Sequence, residues 1–91
     1  MQPRVRMYCT RICPYCQMAE RLLQDKQVDI EKIRVDDEPA LRLEMTRITG
    51  QTSVPQIFVG DQHVGGYREL AQLERAGALD ALLQNSQEKN P

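Results

Sequence analysis

The sequence predicts a single α/β domain built on a four-stranded mixed sheet with helices on both faces. Three observations lead to this prediction. Strand-like and helix-like segments alternate along the chain, proline stands where two of the helices begin, and a Gly-Asp turn joins the last two strand-like runs. A length of 91 residues suits one modest core. We therefore expect one domain over residues 1–91, with the element order β-α-β-α-β-β-α-α.

The first half of the chain is predicted to form two strand–helix units. RVRMYC (residues 4–9) alternates like a strand, and Pro14 suits the first position of a helix, where its missing N–H is not needed. DIEKIRV (residues 29–35) indicates a second strand. Acidic residues and Pro39 open a second helix, which Gly50 ends. A strand–helix–strand unit favours parallel strands with a right-handed crossover.

The second half is predicted to form a hairpin and a helical region. PQIFVGDQHVGG (residues 55–66) holds two short strand-like runs around the Gly-Asp turn. YRELAQLERAGALDALL (residues 67–83) has helical apolar spacing that breaks near Gly77. The polar residues 85–91 are expected to form a frayed tail. The hairpin adds an antiparallel pair of strands, so the sheet is expected to be mixed.

The composition excludes several classes of function. Twelve basic residues stand against 13 acidic ones, so a net charge of −1 gives no preference for nucleic acid or an anionic membrane. Three tyrosines, one phenylalanine and no tryptophan offer little for base stacking. No apolar run reaches the ~18 residues of a membrane helix, and no signal peptide is evident at the N-terminus. We expect a cytoplasmic monomer that binds neither nucleic acid nor membranes.

The three cysteines of the chain form one cluster, Cys9, Cys13 and Cys16, in the order C-x3-C-x2-C. Cys13 falls at a strand-to-helix junction, where unpaired N–H groups and partial positive charge favour a thiolate, the nucleophilic form of cysteine. Cys16 follows one turn later, close enough for a disulfide and better shielded. Arg11 adds positive potential. A C-x-x-C pair on a βαβ pattern favours redox chemistry.

Other interpretations of the cluster remain open. Zinc could be held by Cys9, Cys13, Cys16 and His63, although a structural zinc usually closes a domain that lacks a core. The same cysteine spacing occurs in radical S-adenosylmethionine enzymes, which need a barrel larger than 91 residues supply. We expect no metal. Cys9 is expected to be a small buried residue, and a secondary redox role such as oxidation-driven disulfide formation is its alternative.

Two motifs resemble those of the dithiol glutaredoxins, of the short bacterial type. They are CPYC at residues 13–16 and TSVPQIFVGDQHVGG at residues 52–66. The resemblance covers residues 5–83. It implies a thioredoxin-like fold and a glutathione-dependent thiol–disulfide oxidoreductase, with glutathione as co-substrate. The partners it implies are glutathione and proteins that carry glutathione mixed disulfides or disulfides.

The resemblance also implies a role for individual residues. Cys13 would be the nucleophile and Cys16 the resolving cysteine, in a loop with Arg11, Pro14 and Tyr15. Pro55 would follow a cis peptide bond that turns the Val54 main chain toward glutathione, and Gly65 would let the backbone approach closely. The expected glutathione-binding residues are Tyr15, Ser53, Val54, Pro55, Gly66, Tyr67, Arg68, Arg42 and Glu69.

Two residues depart from the family's pattern. Thr10 stands where a basic residue is usual, three places before the nucleophile. Arg68 stands where Asp commonly pairs with the α-amino group of glutathione, and an arginine cannot accept that hydrogen bond. Either Glu69 substitutes, or glutathione binds less tightly. The GYR run at residues 66–68 also resembles glutaredoxin-like redoxins, which serve ribonucleotide reductase and are recharged by thioredoxin reductase; this is the alternative function. A metal or iron–sulfur module is a third.

Overall fold

The computed structural model describes residues 5–88, with side chains as far as residue 84. The strands are β1 (Val5–Cys9), β2 (Ile30–Arg34), β3 (Gln56–Val59) and β4 (Gln62–Gly65). The helices are α1 (Pro14–Asp25), α2 (Pro39–Thr49), α3 (Tyr67–Arg75) and α4 (Leu79–Glu88). The predicted order β-α-β-α-β-β-α-α is confirmed. The predicted first strand began at residue 4, which lies outside the described residues.

The sheet has the strand order β2-β1-β3-β4. β1 runs parallel to β2, with Cys9 opposite Arg34, and antiparallel to β3, with Tyr8 opposite Gln56. β3 and β4 form the expected antiparallel hairpin. The mixed sheet is therefore confirmed. Because β1 ends beside the start of β3, the cysteine loop after β1 meets the loop before β3 at one edge of the sheet.

Helices cover both faces of the sheet, as the sequence predicts. Val5, Met7 and Cys9 of β1 point to one face, where α1, α3 and α4 supply Ala19, Leu23, Leu70, Leu79 and Leu83. A smaller cluster on the other face consists of Tyr8, Val35, Phe58 and Met45 of α2. Fully burying one such apolar side chain contributes about 1.5–3 kcal/mol relative to exposure. These two clusters fix the sheet between its helices.

The helix ends follow the local sequence signals. Pro14 and Pro39 occupy the starts of α1 and α2, and Gly50 ends α2. Gly77, with φ of 73°, separates α3 from α4 at the predicted break, because this left-handed conformation favours glycine. α4 continues to Glu88, so it includes part of the region expected to fray, and residues 89–91 lie outside the description. Among residues 5–88, no helix combines the length and apolarity needed to cross a bilayer.

Candidate active site

Cys13 caps the N-terminus of α1. Its backbone is extended, with φ of −150° and ψ of 99°, and Pro14 follows at the first helical position. The Cys16 N–H donates a hydrogen bond to Cys13 Sγ at 3.1 Å. A thiolate accepts such a bond more strongly than a thiol, and the positive end of the helix dipole acts in the same direction. The local backbone therefore places the Cys13 sulfur at the N-terminus of α1 with an N–H donor directed at it.

Cys16 lies in the first turn of α1 and differs chemically from Cys13. Burial, reinforced by the adjacent Cys13 sulfur, raises the pKa of the Cys16 thiol to about 12. The two residues are almost equally shielded, with 7% of Cys13 and 4% of Cys16 exposed. Cys16 is therefore only slightly better shielded from solvent than Cys13, a smaller difference than the sequence predicts. A protonated Cys16 beside Cys13 suits a partner that acts second.

The loop before β3 lies against Cys13. The predicted cis peptide bond joins Val54 to Pro55. The Val54 carbonyl oxygen is 3.9 Å from Cys13 Sγ, within reach of a hydrogen bond from the thiol. On the other side of the loop, a Cβ at Gly66 would stand 3.4 Å from the Pro55 carbonyl oxygen. The Gly-Gly segment thus approaches the proline loop closely.

A groove of about 400 Å³ opens beside this loop. Tyr15, 61% exposed, forms part of its wall, and its ring centroid is 6.3 Å from that of Tyr67. The groove is lined by Tyr15, Gln51, Ser53, Val54, Pro55, Gln56, Gly66, Tyr67, Arg68 and Glu69. The structure therefore brings together all but one of the expected glutathione-binding residues. The exception is Arg42.

The start of α3 closes one end of the groove. Glu69 Oε1 accepts a hydrogen bond from the Gly66 N–H at 2.8 Å. Gly65 has φ of 118°, and a Cβ there would meet Glu69 Oε1 at 3.0 Å, so this position requires glycine. The first N–H groups of a helix have no acceptor within the helix and attract anions. The exposed side chain of Arg68 adds a positive charge at the same end.

Two of the expected arginines lie away from this groove. Arg42 on α2 donates from Nη1 to the Thr52 carbonyl oxygen at 3.0 Å and so ties α2 to the proline loop. Arg11 and Thr10 line a second cavity of about 430 Å³, which reaches Cys13 and Cys16. Arg11 and Arg42 therefore flank the site from different sides.

Two groups at the site were missed by sequence reasoning. Asp36, just after β2, accepts the Arg11 N–H at 3.1 Å and two bonds from the Arg34 guanidinium at 2.9 and 3.0 Å. These bonds hold the pKa of the Asp36 carboxyl well below its usual range. The buried Gln56 follows the proline. Asp36 could have been found, because the carboxyl ends of parallel strands meet at one sheet edge; Gln56 carries no comparable signal.

Cys9 and His63 lie on opposite faces of the sheet. Cys9 is 3% exposed in the cluster under α1, and burial raises the pKa of its thiol, with Lys32 and Arg34 opposing that shift. His63 bonds to Gln56 at 2.7 Å on the α2 side. The four residues of the zinc alternative are thus not assembled. Within the described part of the chain, no three His, Cys, Asp or Glu residues are arranged to hold a metal ion.

The fold and the Cys13–Cys16 pair facing a cis-proline loop define a thioredoxin-like dithiol protein. The glutaredoxin family model matches residues 5–64. The chain belongs to the glutaredoxin family, and thiol–disulfide oxidoreductase activity is that of the family. It is 54% identical to a glutaredoxin of Pseudomonas aeruginosa over 81 residues, 89% of this chain and 96% of the relative. It is 43% identical to glutaredoxin 3 of Escherichia coli over 79 residues, 87% and 95% of the two chains.

Solved structures confirm the fold. The buckwheat glutaredoxin–glutathione complex superposes with a TM-score of 0.86 at 25% identity, over 92% of this chain and 79% of that one. The solution structure of glutaredoxin from Brucella melitensis gives a TM-score of 0.80 at 41% identity, over 90% and 89% of the two chains. The predicted thioredoxin-like architecture and the predicted family are both confirmed.

Proposed function

We propose that this protein uses glutathione to reduce protein–glutathione mixed disulfides and protein disulfides through Cys13 and Cys16. One observation carries the proposal. The Cys13 sulfur lies 3.9 Å from the carbonyl oxygen of Val54, and Val54 lines the groove together with the start of α3. A nucleophilic sulfur and a binding surface for the rest of a substrate therefore adjoin each other.

The groove suits the chemistry of glutathione. Its volume of about 400 Å³ falls in the range of about 300–1,000 Å³ typical of small-molecule sites. The Val54 main chain can pair with the cysteinyl backbone, and the N–H groups that open α3 can take the γ-glutamyl α-carboxylate. Tyr15 can pack on the tripeptide. The buckwheat relative, whose structure is a glutaredoxin–glutathione complex, supports this ligand.

The remaining polar groups define how tightly glutathione is held. One carboxylate oxygen of Glu69 accepts a hydrogen bond from the Gly66 N–H. We assign the second oxygen as the acceptor for the α-amino group of glutathione. Arg68 repels that ammonium and weakens the same contact. Arg42 lies outside the groove lining, so we propose that the glycine carboxylate extends past the groove to the N–H donors of Arg42 that the Thr52 carbonyl oxygen does not use. Ser53 also lines the groove.

On a protein–glutathione mixed disulfide, the Cys13 thiolate attacks the glutathione sulfur. The Cys13–glutathione disulfide forms, the original S–S bond breaks, and the client thiolate leaves and takes up a proton. The thiolate of a second glutathione then attacks the glutathione sulfur held on Cys13. This step releases oxidised glutathione and restores the Cys13 thiolate. One glutathione is consumed, and the other half of the oxidised glutathione comes from the substrate.

On a protein disulfide, the Cys13 thiolate attacks one client sulfur; the client S–S bond breaks, the other client sulfur leaves as a thiolate and takes up a proton, and a Cys13–client mixed disulfide remains. Cys16 then attacks the Cys13 sulfur, and the Cys16 proton passes to the departing client thiolate. The Cys13–Cys16 disulfide is returned to the dithiol by two glutathiones. Glutaredoxins as a class have potentials of about −200 to −230 mV, near that of the cytosolic glutathione pool. A cytosolic monomer acting on glutathionylated and disulfide-containing clients fits this cycle.

A coupled assay tests the proposal against its redoxin alternative. The protein is supplied with a glutathione mixed disulfide, NADPH, and either glutathione with glutathione reductase or thioredoxin reductase alone. Turnover is expected with the first system and not with the second. Turnover only with thioredoxin reductase would replace the proposal by the redoxin function, with ribonucleotide reductase as the client to test. A variant lacking Cys13 serves as the blank in both systems.

A further inference from the structure

Three side chains connect β4 to the proline loop through hydrogen bonds. His63 Nε2 lies 2.7 Å from Gln56 Oε1. On the other side of the amide, Gln56 Nε2 donates to the Ser53 carbonyl oxygen at 3.0 Å and lies 3.4 Å from the Ser53 hydroxyl. Gln56 is 1% exposed and yet contributes to the lining of the groove. The chain of contacts therefore ends on the segment that presents Val54.

The partners of Gln56 determine the direction of each bond. The Ser53 carbonyl oxygen can only accept, so the nitrogen of the Gln56 amide must face Ser53 and its oxygen must face His63. An amide oxygen can only accept, so His63 must donate from Nε2. Both the Nε2–H tautomer and the imidazolium meet this requirement. The contact is thus a donor–acceptor pair in either charge state of His63.

The strand pairing places His63 where it can reach Gln56. His63 pairs with Phe58 across β3 and β4, and the register skips Val64 between that pair and the next. The His63 ring stacks on Phe58, with centroids 4.9 Å apart. Gln56 is two residues from Phe58 on the same strand face, so it is the diagonal neighbour of His63. The His63 ring is therefore packed against the Phe58 ring, and its Nε2 is directed along the sheet toward Gln56.

We infer that His63 is a positioning residue for the glutathione groove, acting through Gln56 on the Ser53–Pro55 loop. The inference rests on the proposed function, since it takes the groove as the glutathione site. His63 touches no reacting atom. Its effect is on binding, because the loop that it positions carries the Val54 main chain. The Val54 carbonyl oxygen lies 3.9 Å from Cys13 Sγ. Loss of the donor should therefore raise KM more than it lowers kcat.

Two substitutions separate the hydrogen bond from the ring. His63→Phe keeps an aromatic ring on Phe58 and removes the donor. His63→Gln removes the ring and keeps an amide donor near the place of Nε2. Since a net hydrogen bond changes an equilibrium by roughly threefold to tenfold, His63→Phe should raise KM for a glutathione mixed disulfide by about that factor. His63→Gln should leave KM within about twofold of the wild type. Both variants should melt lower, so Tm alone does not separate them.

A KM for His63→Phe equal to that of the wild type would overturn the inference. So would an equal rise in both variants, because that would assign the effect to packing of the ring. A second readout needs no glutathione: solvent exchange of the Gln56 side-chain amide protons, measured by NMR, should be about threefold to tenfold faster in His63→Phe only. Unchanged exchange there would show that His63 does not hold the Gln56 amide against Ser53, and would overturn the inference. If the wild type fails to turn over with glutathione, the proposed function fails while the exchange result still decides whether His63 positions Gln56.

Discussion

The Cys16 N–H donates to Cys13 Sγ at 3.1 Å, so the two cysteines are coupled through the backbone of one helical turn. The same turn buries the Cys16 thiol and raises its pKa to about 12. At neutral pH, Cys16 is therefore protonated and unreactive. We expect iodoacetamide at pH 7 to label the reduced protein once, at Cys13, as read by peptide mass spectrometry.

The variant Cys13→Ser is the control for this labelling. It keeps the burial that contributes most to the raised pKa of Cys16, so it should take up almost no label at pH 7. Raising the pH toward the pKa of Cys16 should bring label to Cys16, as the second label in the wild type and the first in Cys13→Ser. Rapid labelling of Cys16 at pH 7, in either protein, would contradict the division of roles between the two thiols.

Arg68→Asp should strengthen glutathione binding. The substitution removes a positive charge that repels the α-amino group and supplies an acceptor for it. An exposed ionic contact changes binding by up to about fivefold, so KM for a glutathione mixed disulfide should fall by roughly twofold to fivefold. Arg75→Asp makes the same charge change at the other, exposed end of α3 and should leave KM unaltered. An unchanged or higher KM for Arg68→Asp would refute this account of the groove.

Asp36→Asn should weaken the protein in a pH-dependent way. Arg34 and the Arg11 N–H bind the charged carboxylate and lower its pKa, so its contribution to stability is full above about pH 4 and lost as the pH falls through the lowered pKa. The Tm difference between wild type and variant should therefore be positive at pH 7 and shrink below about pH 4. Asp61→Asn, in the exposed β3–β4 turn, is the matched control. A Tm difference that grows in acid would contradict stabilisation by the charged Asp36 carboxylate.

Cys9→Ser tests the unassigned cysteine. Cys9 is 3% exposed, and the raised pKa of its thiol makes it a poor nucleophile. The variant should keep its turnover and form the same Cys13–Cys16 disulfide on oxidation, while the buried hydroxyl lowers Tm. Intact mass after oxidation and the turnover rate are the measurements. A changed pattern of disulfides would instead give Cys9 a redox role.

Much of the fold was predictable because it depends on local signals. Pro14, Pro39 and Gly77 mark helix boundaries that the structure confirms, and the alternation in β1 divides its residues between the two faces. The predicted cis bond before Pro55 is present, although that prediction came from family resemblance. These features can be predicted because they depend on local backbone preferences or on a specific sequence motif.

The supporting contacts of the site were not predictable in the same way. Gln56 is a residue type that usually lies at the surface, and its burial depends on strand pairing with β4. Arg42 could reach several acceptors, and only the packing of α2 selects the Thr52 carbonyl. The sheet edge places Asp36 near the cysteine loop, but Arg11 is 25 positions away in the chain and nothing in the sequence identifies its N–H as the partner. Partners of polar groups follow from tertiary packing, which a single sequence does not display.

The central claim is the division of work between Cys13 and Cys16, and a two-substrate comparison of Cys16→Ser tests it most directly. Initial rates are measured on a protein–glutathione mixed disulfide and on a protein disulfide, with Cys13→Ser as the inactive control. We expect Cys16→Ser to keep deglutathionylation within about threefold of the wild type and to lose reduction of the protein disulfide. Loss of deglutathionylation in folded Cys16→Ser, or activity in Cys13→Ser, would contradict this division of work.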